Sequence, residues 1–221
     1  MTIEVYWGSG SPFAWAVLLA LEVKGVLYES RLLSFSAGDT KKPEFLAINP
    51  RGKVPAVRDG EYTLAESIAI LAYIDAKHPE PPLFGRTPKE TGRIWQCISD
   101  GISYLQPAAE KVMHPLFRGG IAGREDQVRE GAREVEGEVA RLAADLSDRA
   151  YLAADTLSAA DLVIYPKLAL FFRIAARAEL KALHLGFDGW CERWPAIAGW
   201  FDRMEALPGY DRTYPPHWRE G

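Results

Sequence analysis

The sequence contains few cysteines, and their positions limit the chemistry that the chain can perform. Only Cys97 and Cys191 occur in 221 residues, too few for a disulfide scaffold and too far apart in sequence for a local redox pair. No two histidines have the spacing of metal ligands, so no metal is expected. Any sulfur chemistry therefore uses a sulfur that a ligand supplies.

Long charged runs and long apolar runs are also absent. The chain carries 26 basic and 30 acidic residues, a net charge of -4, and no Lys/Arg cluster of the kind that binds a phosphate backbone. No segment reaches the roughly 18 uncharged residues of a membrane span, and no basic region precedes an apolar stretch at the amino terminus. We expect no nucleic-acid partner, no membrane association and a cytoplasmic location.

Apolar residues make up 48% of the chain, enough for a well-filled core, and their pattern divides it into two domains. Residues 79–88 (PEPPLFGRTP) contain four prolines and a glycine, a composition typical of a linker. Before it, over residues 1–78, strand-like segments alternate with helical ones. After it, over residues 89–221, the pattern indicates helices alone, so we predict an α/β domain and then an all-helical domain.

The order of elements in the first domain predicts a mixed four-stranded sheet. The segments are, in chain order, a strand over 3–7, a helix over 13–24, a strand over 26–34, a hairpin around Asp59-Gly60 and a helix from Glu66. The opening β-α-β unit implies a parallel strand pair with a right-handed crossover. The domain therefore reads as β-α-β followed by β-β-α.

Three sequence patterns predict helices in the second domain. Thr87-Pro88-Lys89-Glu90 and Ser158-Ala159-Ala160-Asp161 each have the form of a capping box, which marks the first turn of a helix. Apolar residues recur at steps of three and four from Val128 to Leu146, as in an amphipathic helix. A last helix is expected after Pro195.

Three short segments, in this order, resemble the signatures of cytosolic glutathione transferases. They are Trp7–Phe13 (WGSGSPF), Asn49–Pro55 (NPRGKVP) and Leu64–Ile70 (LAESIAI), and the capping segment Leu157–Leu162 extends the resemblance. The Ser-Pro-Phe junction is similar to that of serine-type members, closest to the tau class, and the chain resembles a bacterial-type member. The resemblance implies a thioredoxin-like domain that binds glutathione and a helical domain with a pocket for a small apolar electrophile.

The resemblance places a serine hydroxyl beside the sulfur of glutathione. A free thiol has a pKa of about 8.5, so an enzyme working near neutral pH must stabilise the thiolate. Ser11 stands at a predicted helix start with Pro12 at the first helical position, where a hydroxyl and the helix dipole both favour an anion. Ser11 is the first candidate for this role and Ser9 the alternative. A plain capping role for Ser11 is compatible with it.

The resemblance also implies residues that hold the other parts of glutathione. The backbone of Val54, next to an expected cis Pro55, pairs with the cysteinyl part like an added strand. Ser67 and nearby amides hold the γ-glutamyl carboxylate at a helix start, and Glu66 faces the ammonium group. Plain helix capping by Glu66 and Ser67 is the alternative.

Charged residues complete the implied glutathione site. Lys53 and one of Lys41 or Lys42 meet the glycyl carboxylate as simple cations, although exposed lysines are usually only solvated. Asp100 matches a position from which some family members reach across a dimer to the γ-glutamyl ammonium group. A solvated helix aspartate is the equal alternative. The resemblance therefore implies a homodimer.

For the second substrate, the resemblance points to Phe13 and Tyr104 as residues of the electrophile pocket, although such aromatics more often belong to a core. One position departs from the family pattern: Ala16 stands where many relatives have arginine. Ser11-Pro12-Phe13 differs from the Ser-Ser-Cys junction usual in maleylacetoacetate isomerases, which argues against that branch of the family. We predict conjugation of glutathione to an electrophile. The alternatives are a non-catalytic glutathione-binding, ligand-binding or assembly module and a glutathione-dependent isomerase or dehalogenase.

Overall fold

Alternating side chains along the first strand, β1 (Ile3–Trp7), build the core of the sheet. Its odd-numbered residues are buried in one apolar cluster that includes Leu18 and Val57 from neighbouring elements. The side chain of Tyr6 points to the other face, where its ring centroid lies 5.9 Å from that of Phe45. Strand β1 is therefore covered on both of its faces.

The structure is a computed structural model that describes residues 2–219. The described residues form two compact units, one up to Phe84 and from Glu205 onward, the other from Gly85 to Met204. The division inferred from sequence, with its linker over 79–88, stays a prediction. The two units differ in one respect from the domains predicted from sequence. The described residues from Glu205 onward group with the first unit, because they pack on the helix that follows the first strand.

Four strands form the sheet of the first unit, in the spatial order β2-β1-β3-β4. They are β1, β2 (Tyr28–Leu32), β3 (Ala56–Asp59) and β4 (Tyr62–Ala65). β1 and β2 are parallel, whereas β1 with β3 and β3 with β4 are antiparallel. The mixed four-stranded sheet predicted from the sequence is confirmed.

Helices make up most of the remaining described chain. They are α1 (Pro12–Val23), α2 (Pro43–Leu46), α3 (Ser67–Lys77), α4 (Pro88–Asp100), α5 (Gln106–Phe117), α6 (Glu125–Asp145), α7 (Ala159–Ala175), α8 (Ala178–Lys181), α9 (Trp190–Arg193), α10 (Pro195–Glu205) and α11 (Tyr210–Thr213). Short 3₁₀ turns lie at Asp39–Lys41 and Pro216–Trp218, and a π-helical turn at Gly101–Leu105 joins α4 to α5. Among the described helices, none is both long and apolar enough to cross a membrane.

The hairpin between β3 and β4 turns one residue later than the sequence pattern predicts. Asp59 pairs with Tyr62, so the two-residue turn is Gly60-Glu61 and not Asp59-Gly60. The Asp59 carboxylate accepts a hydrogen bond from the Tyr73 hydroxyl at 2.6 Å, which holds Asp59 in the strand. β2 is shorter than the predicted strand over 26–34, because β1 pairs with it over five residues.

The second unit confirms both predicted capping boxes. Thr87 and Glu90 cap α4, and Ser158 and Asp161 cap α7 in the same reciprocal way. Asp161 is fully buried and accepts further hydrogen bonds, including one from the Trp200 indole at 3.0 Å. The helix predicted from Val128 to Leu146 is present as α6, and the helix predicted after Pro195 is present as α10. The π-helical turn has no counterpart in the sequence prediction.

Candidate active site

One edge of the sheet gathers the three signature segments. Tyr6 pairs with Ala56, and Ala56 pairs with Ala65, so the end of β1, the start of β3 and the end of β4 lie side by side. Because neighbouring strands lie about 4.8 Å apart, the loop after β1, the turn before β3 and the start of α3 meet within roughly 10–15 Å. The fold alone therefore places these segments at one site.

Ser11 caps the amino terminus of α1. Its backbone is extended, Pro12 takes the first helical position, and its Oγ accepts a hydrogen bond from the Ala14 amide at 3.3 Å. That bond uses an oxygen lone pair, so the hydroxyl proton can still be donated to another group. Ser11 is half-buried at the positive end of the helix dipole. Its surroundings favour an anion as the second partner.

Ser9 lies in the same loop, but its hydroxyl has a different neighbour. Its Oγ is 2.6 Å from Nδ1 of His217. The following residue, Gly10, has a φ of +83°, and a Cβ there would lie 2.9 Å from His217 Cε1. Only glycine fits this backbone without strain. The two serines therefore differ. Ser11 stands at a helix terminus, whereas the Ser9 hydroxyl is hydrogen-bonded to an imidazole that lies 208 residues away in sequence.

The turn before β3 is organised by the buried side chain of Asn49. Its Nδ2 donates to the Lys53 carbonyl at 2.6 Å, and its Oδ1 accepts from the Arg51 amide at 3.1 Å. Gly52 within the turn has a φ of +59°, and a Cβ there would lie 2.7 Å from the Thr40 carbonyl oxygen. The turn is thus held in one shape, with the Lys53 side chain exposed.

The two neighbouring lysines before this turn have different partners. Lys41 donates to the Gly52 carbonyl at 3.3 Å, which places its ammonium group beside the turn. Lys42 pairs with Asp39 at 2.6 Å, and this carboxylate raises the pKa of the Lys42 ammonium group. Of the two lysines, Lys41 is therefore the one that the fold brings to the signature segments.

Val54 and Pro55 stand between this turn and the sheet. The peptide bond that joins them is cis, as expected from the resemblance. The β1–β3 pairing begins at Ala56, so Val54 precedes the paired residues of the sheet. An extended ligand backbone laid beside Val54 would continue the hydrogen-bonding pattern of the sheet edge.

Glu66 precedes α3 in a strained backbone conformation. Its φ is 68°, in a region that costs a residue other than glycine about 1–3 kcal/mol, and residues strained in this way cluster at functional sites. Its exposed carboxylate lies 4.0 Å from Nε of Arg51, which links the turn to the start of α3. Ser67 is the first residue of α3, where backbone amides have no partner within the helix.

The remaining candidates lie in different units. Asp100 is the last residue of α4 and lines a small cavity with Arg93 and Cys97. Tyr104, in the π-helical turn, is 56% exposed. Phe13 lies in the first unit, half-buried in the first turn of α1. The roles predicted for Asp100, Tyr104 and Phe13 stay predictions.

The two cysteines have different environments. Cys97 is buried, and burial raises the pKa of its thiol to about 12, so it is protonated and unreactive at neutral pH. Cys191 is exposed, on α9. Within residues 2–219, no group of three His, Cys, Asp or Glu side chains is arranged to hold a metal ion.

Comparisons with known proteins match both parts of the chain. The glutathione S-transferase N-terminal domain matches residues 1–76, and the glutathione S-transferase C-terminal domain matches residues 105–208. Glutathione S-transferase 4 of Zea mays is 31% identical over 96% of this chain and 91% of its own length. The chain belongs to the glutathione S-transferase family. As a glutathione S-transferase it is an enzyme, and glutathione is its co-substrate.

Two further comparisons cover nearly the whole chain. Glutathione S-transferase A of Pleuronectes platessa is 28% identical over 99% of this chain and 93% of its own length. The crystal structure of a glutathione S-transferase from the Antarctic clam Laternula elliptica has a TM-score of 0.81 and 28% identity, covering 100% of this chain and 95% of that one. The chain therefore has the fold of the clam enzyme, a thioredoxin-like domain followed by a helical domain. The serine-type, tau-like and bacterial-type features stay predictions.

Two residues near the signature segments make contacts that the sequence does not reveal. Asn49 lies within one of these segments, but turn chemistry alone does not indicate that its side chain holds the turn together. His217 meets Ser9 across 208 residues of sequence. No local pattern marks such a pairing, because only the packing of residues 210–219 on α1 brings the imidazole to the loop.

Proposed function

We propose that this glutathione S-transferase conjugates glutathione to a small apolar electrophile, and that the Ser11 hydroxyl stabilises the thiolate. One observation supports the proposal: Ser11 Oγ accepts a hydrogen bond from the Ala14 amide, which uses a lone pair and leaves the hydroxyl proton available to a thiolate. The thiolate then attacks an electrophilic carbon of the second substrate. In a substitution, a new C–S bond forms while the bond from that carbon to the leaving group breaks and the leaving group takes its electron pair. In an addition, the C–S bond forms while the π-electron pair shifts onto the neighbouring atom, which takes up a proton.

The energies involved support this role for one hydroxyl. Lowering a thiol pKa by about two units requires about 2.7 kcal/mol of preferential stabilisation of the anion. A hydrogen bond to a charged acceptor contributes about 1.5–3 kcal/mol, and a helix amino terminus adds about 0.3–2 kcal/mol. Ser11 at the start of α1 offers both contributions.

The charges at the sheet edge support a matching orientation of glutathione. Glutathione has a carboxylate at each end and an ammonium group beside the γ-glutamyl carboxylate. We assign the glycyl carboxylate to Lys53 and Lys41, since Lys41 lies at the turn. The γ-glutamyl end is then assigned to the amides at Ser67 and to the carboxylate of Glu66.

The backbone of Val54 holds the cysteinyl part between these two ends. This places the sulfur near the loop that carries Ser11, because β1 and β3 are neighbours in the sheet. Phe13 and Tyr104 are proposed to line the electrophile pocket. Asp100 is proposed to reach the γ-glutamyl ammonium group of a partner subunit in a homodimer.

Steady-state kinetics with glutathione and a chloronitrobenzene substrate tests the proposed catalytic residue. Ser11→Ala should lower kcat/KM about 10- to 150-fold, the loss expected for one hydrogen bond to an anion. Ser9→Ala should lower it much less. Full activity of Ser11→Ala together with loss in Ser9→Ala would assign the role to Ser9. Binding of glutathione without turnover of any electrophile would favour the non-catalytic alternative.

A second measurement tests the assembly. Light scattering of the purified chain should give twice the mass of one subunit, 24.6 kDa. In the expected dimer, Asp100→Asn should weaken glutathione binding. A monomeric mass with full activity would remove the role of Asp100 in the site.

A further inference from the structure

The segment of residues 210–219, which we term the anchored segment, is fixed to α1 by several contacts. The indole nitrogen of Trp15 donates to Thr213 Oγ1 at 2.9 Å, and the Trp218 ring packs edge-on against Trp15 at 5.5 Å between centroids. Arg212 pairs with the carboxylate of Glu22 on the same helix. The anchored segment is therefore held against α1, the helix that Ser11 caps.

This segment carries His217 to the loop that precedes α1. Its Nδ1 lies 2.6 Å from Ser9 Oγ, and its ring fills the space that a side chain at Gly10 would need. The hydrogen bond has either direction, depending on the imidazole tautomer, and it restrains the Ser9 side chain in both cases. The imidazole thus restrains a loop that glycine makes intrinsically adaptable.

We propose that His217 is a positioning residue of the glutathione site: by holding Ser9, it fixes the loop that directs the Ser11 hydroxyl toward the sulfur. The inference rests on the function proposed for Ser11. The strength of a hydrogen bond falls steeply with distance and angle, so a small rotation of the loop weakens the Ser11 bond to the thiolate. In this arrangement, the imidazole restrains Ser9, and Ser9 in turn restrains Ser11, which follows it by two residues in the same loop.

The test measures the pKa of the glutathione thiol when bound, from the ultraviolet absorbance of the thiolate, together with kcat and KM. His217→Ala and Ser9→Ala should each raise that pKa and lower kcat/KM about two- to tenfold, the range of one ordinary hydrogen bond. The double variant should be no worse than either single variant, because both remove the same interaction. Most of the loss should fall on kcat, with a smaller change in KM for glutathione.

Two further variants distinguish loss of the Ser9–His217 hydrogen bond from a general disturbance of the anchored segment. His217→Asn keeps a polar atom near the position of Nδ1 and should restore part of the lost activity. Asp211→Asn alters an aspartate on the same segment whose side chain is 90% exposed, and should leave the bound-thiol pKa unchanged. If His217→Ala lowers the melting temperature strongly, Ser9→Ala still tests the same bond from the loop side.

The outcomes distinguish this inference from the function on which it rests. If Ser11→Ala leaves the bound-thiol pKa unchanged, the function proposed for Ser11 is wrong. If Ser11→Ala raises that pKa while Ser9→Ala and His217→Ala do not, the role of His217 alone is overturned. Additive effects of Ser9→Ala and His217→Ala would also overturn it.

Discussion

The Oγ of Ser11 accepts a hydrogen bond from the amide of Ala14 at 3.3 Å, so the side chain that caps α1 is also the one proposed to bind the sulfur. These two duties use different parts of the hydroxyl group, its lone pair and its proton. They can therefore be separated by a substitution that keeps the lone pair and removes the proton.

Ser11→Asp is that substitution. Aspartate caps helices about as well as serine, so thermal stability without ligand should stay close to that of the wild type. Its carboxylate is ionised and repels the thiolate, so kcat/KM should fall at least as far as in Ser11→Ala. Calorimetry and kinetics on the same samples check both statements. An active Ser11→Asp enzyme would show that the hydroxyl proton is not required.

Gly52→Ala should disturb the turn that carries Lys53. A left-handed backbone costs a residue other than glycine about 1–2 kcal/mol, and the added Cβ would lie 2.7 Å from the Thr40 carbonyl oxygen. Denaturant titration should show a loss of at least this size, with weaker glutathione binding. Gly137→Ala is the matched control, since a Cβ there meets nothing within 4 Å. Lying inside a helix, it should stabilise the chain by about 0.5–1 kcal/mol.

Asp161 should be among the most sensitive positions of the second unit. Its carboxylate accepts from the Leu152 amide at 2.9 Å, from Ser158 and from the Trp200 indole. In Asp161→Ala these buried donors lose their acceptor, at about 1–3 kcal/mol for each unsatisfied group. The free energy of unfolding should fall by at least about 3 kcal/mol. The exposed Asp155→Ala should change it by less than about 0.5 kcal/mol, and equal losses would contradict this account.

Glu4 should make stability depend on acid pH. Hydrogen bonds from Arg58, and then Arg31, lower the pKa of its carboxyl from 4.5 to about 2. Because the folded-state pKa is the lower one, the stabilisation is complete above pH 4.5 and is lost as the pH falls toward 2. Glu4→Gln should be less stable at neutral pH and lose less stability over that acid range. Parallel stability curves for Glu4→Gln and the wild type would contradict this.

The fold was largely predictable because its elements carry local signals. Strand β1 and the caps at Thr87 and Ser158 all have short-range patterns that the structure follows. The hairpin turn was misplaced by one residue, since the partners of Asp59 come from α3 and local turn chemistry cannot reveal them.

The candidate site was predictable only where its residues form continuous segments. The loop with Ser11, the turn with Lys53 and the start of α3 were each recognisable, and the strand order brings them together. The choice of Lys41 at the turn depends on the tertiary partners of each lysine. His217 depends on packing between parts of the chain that are 208 residues apart.

Titration of bound glutathione by ultraviolet difference spectroscopy tests the central claim most directly. The wild-type enzyme should hold the thiol at a pKa about two units below the value of about 8.5 for the free thiol, and Ser11→Ala should return it most of the way to that value. A thiol pKa that is the same in both proteins, or unchanged from that of free glutathione, would contradict the account.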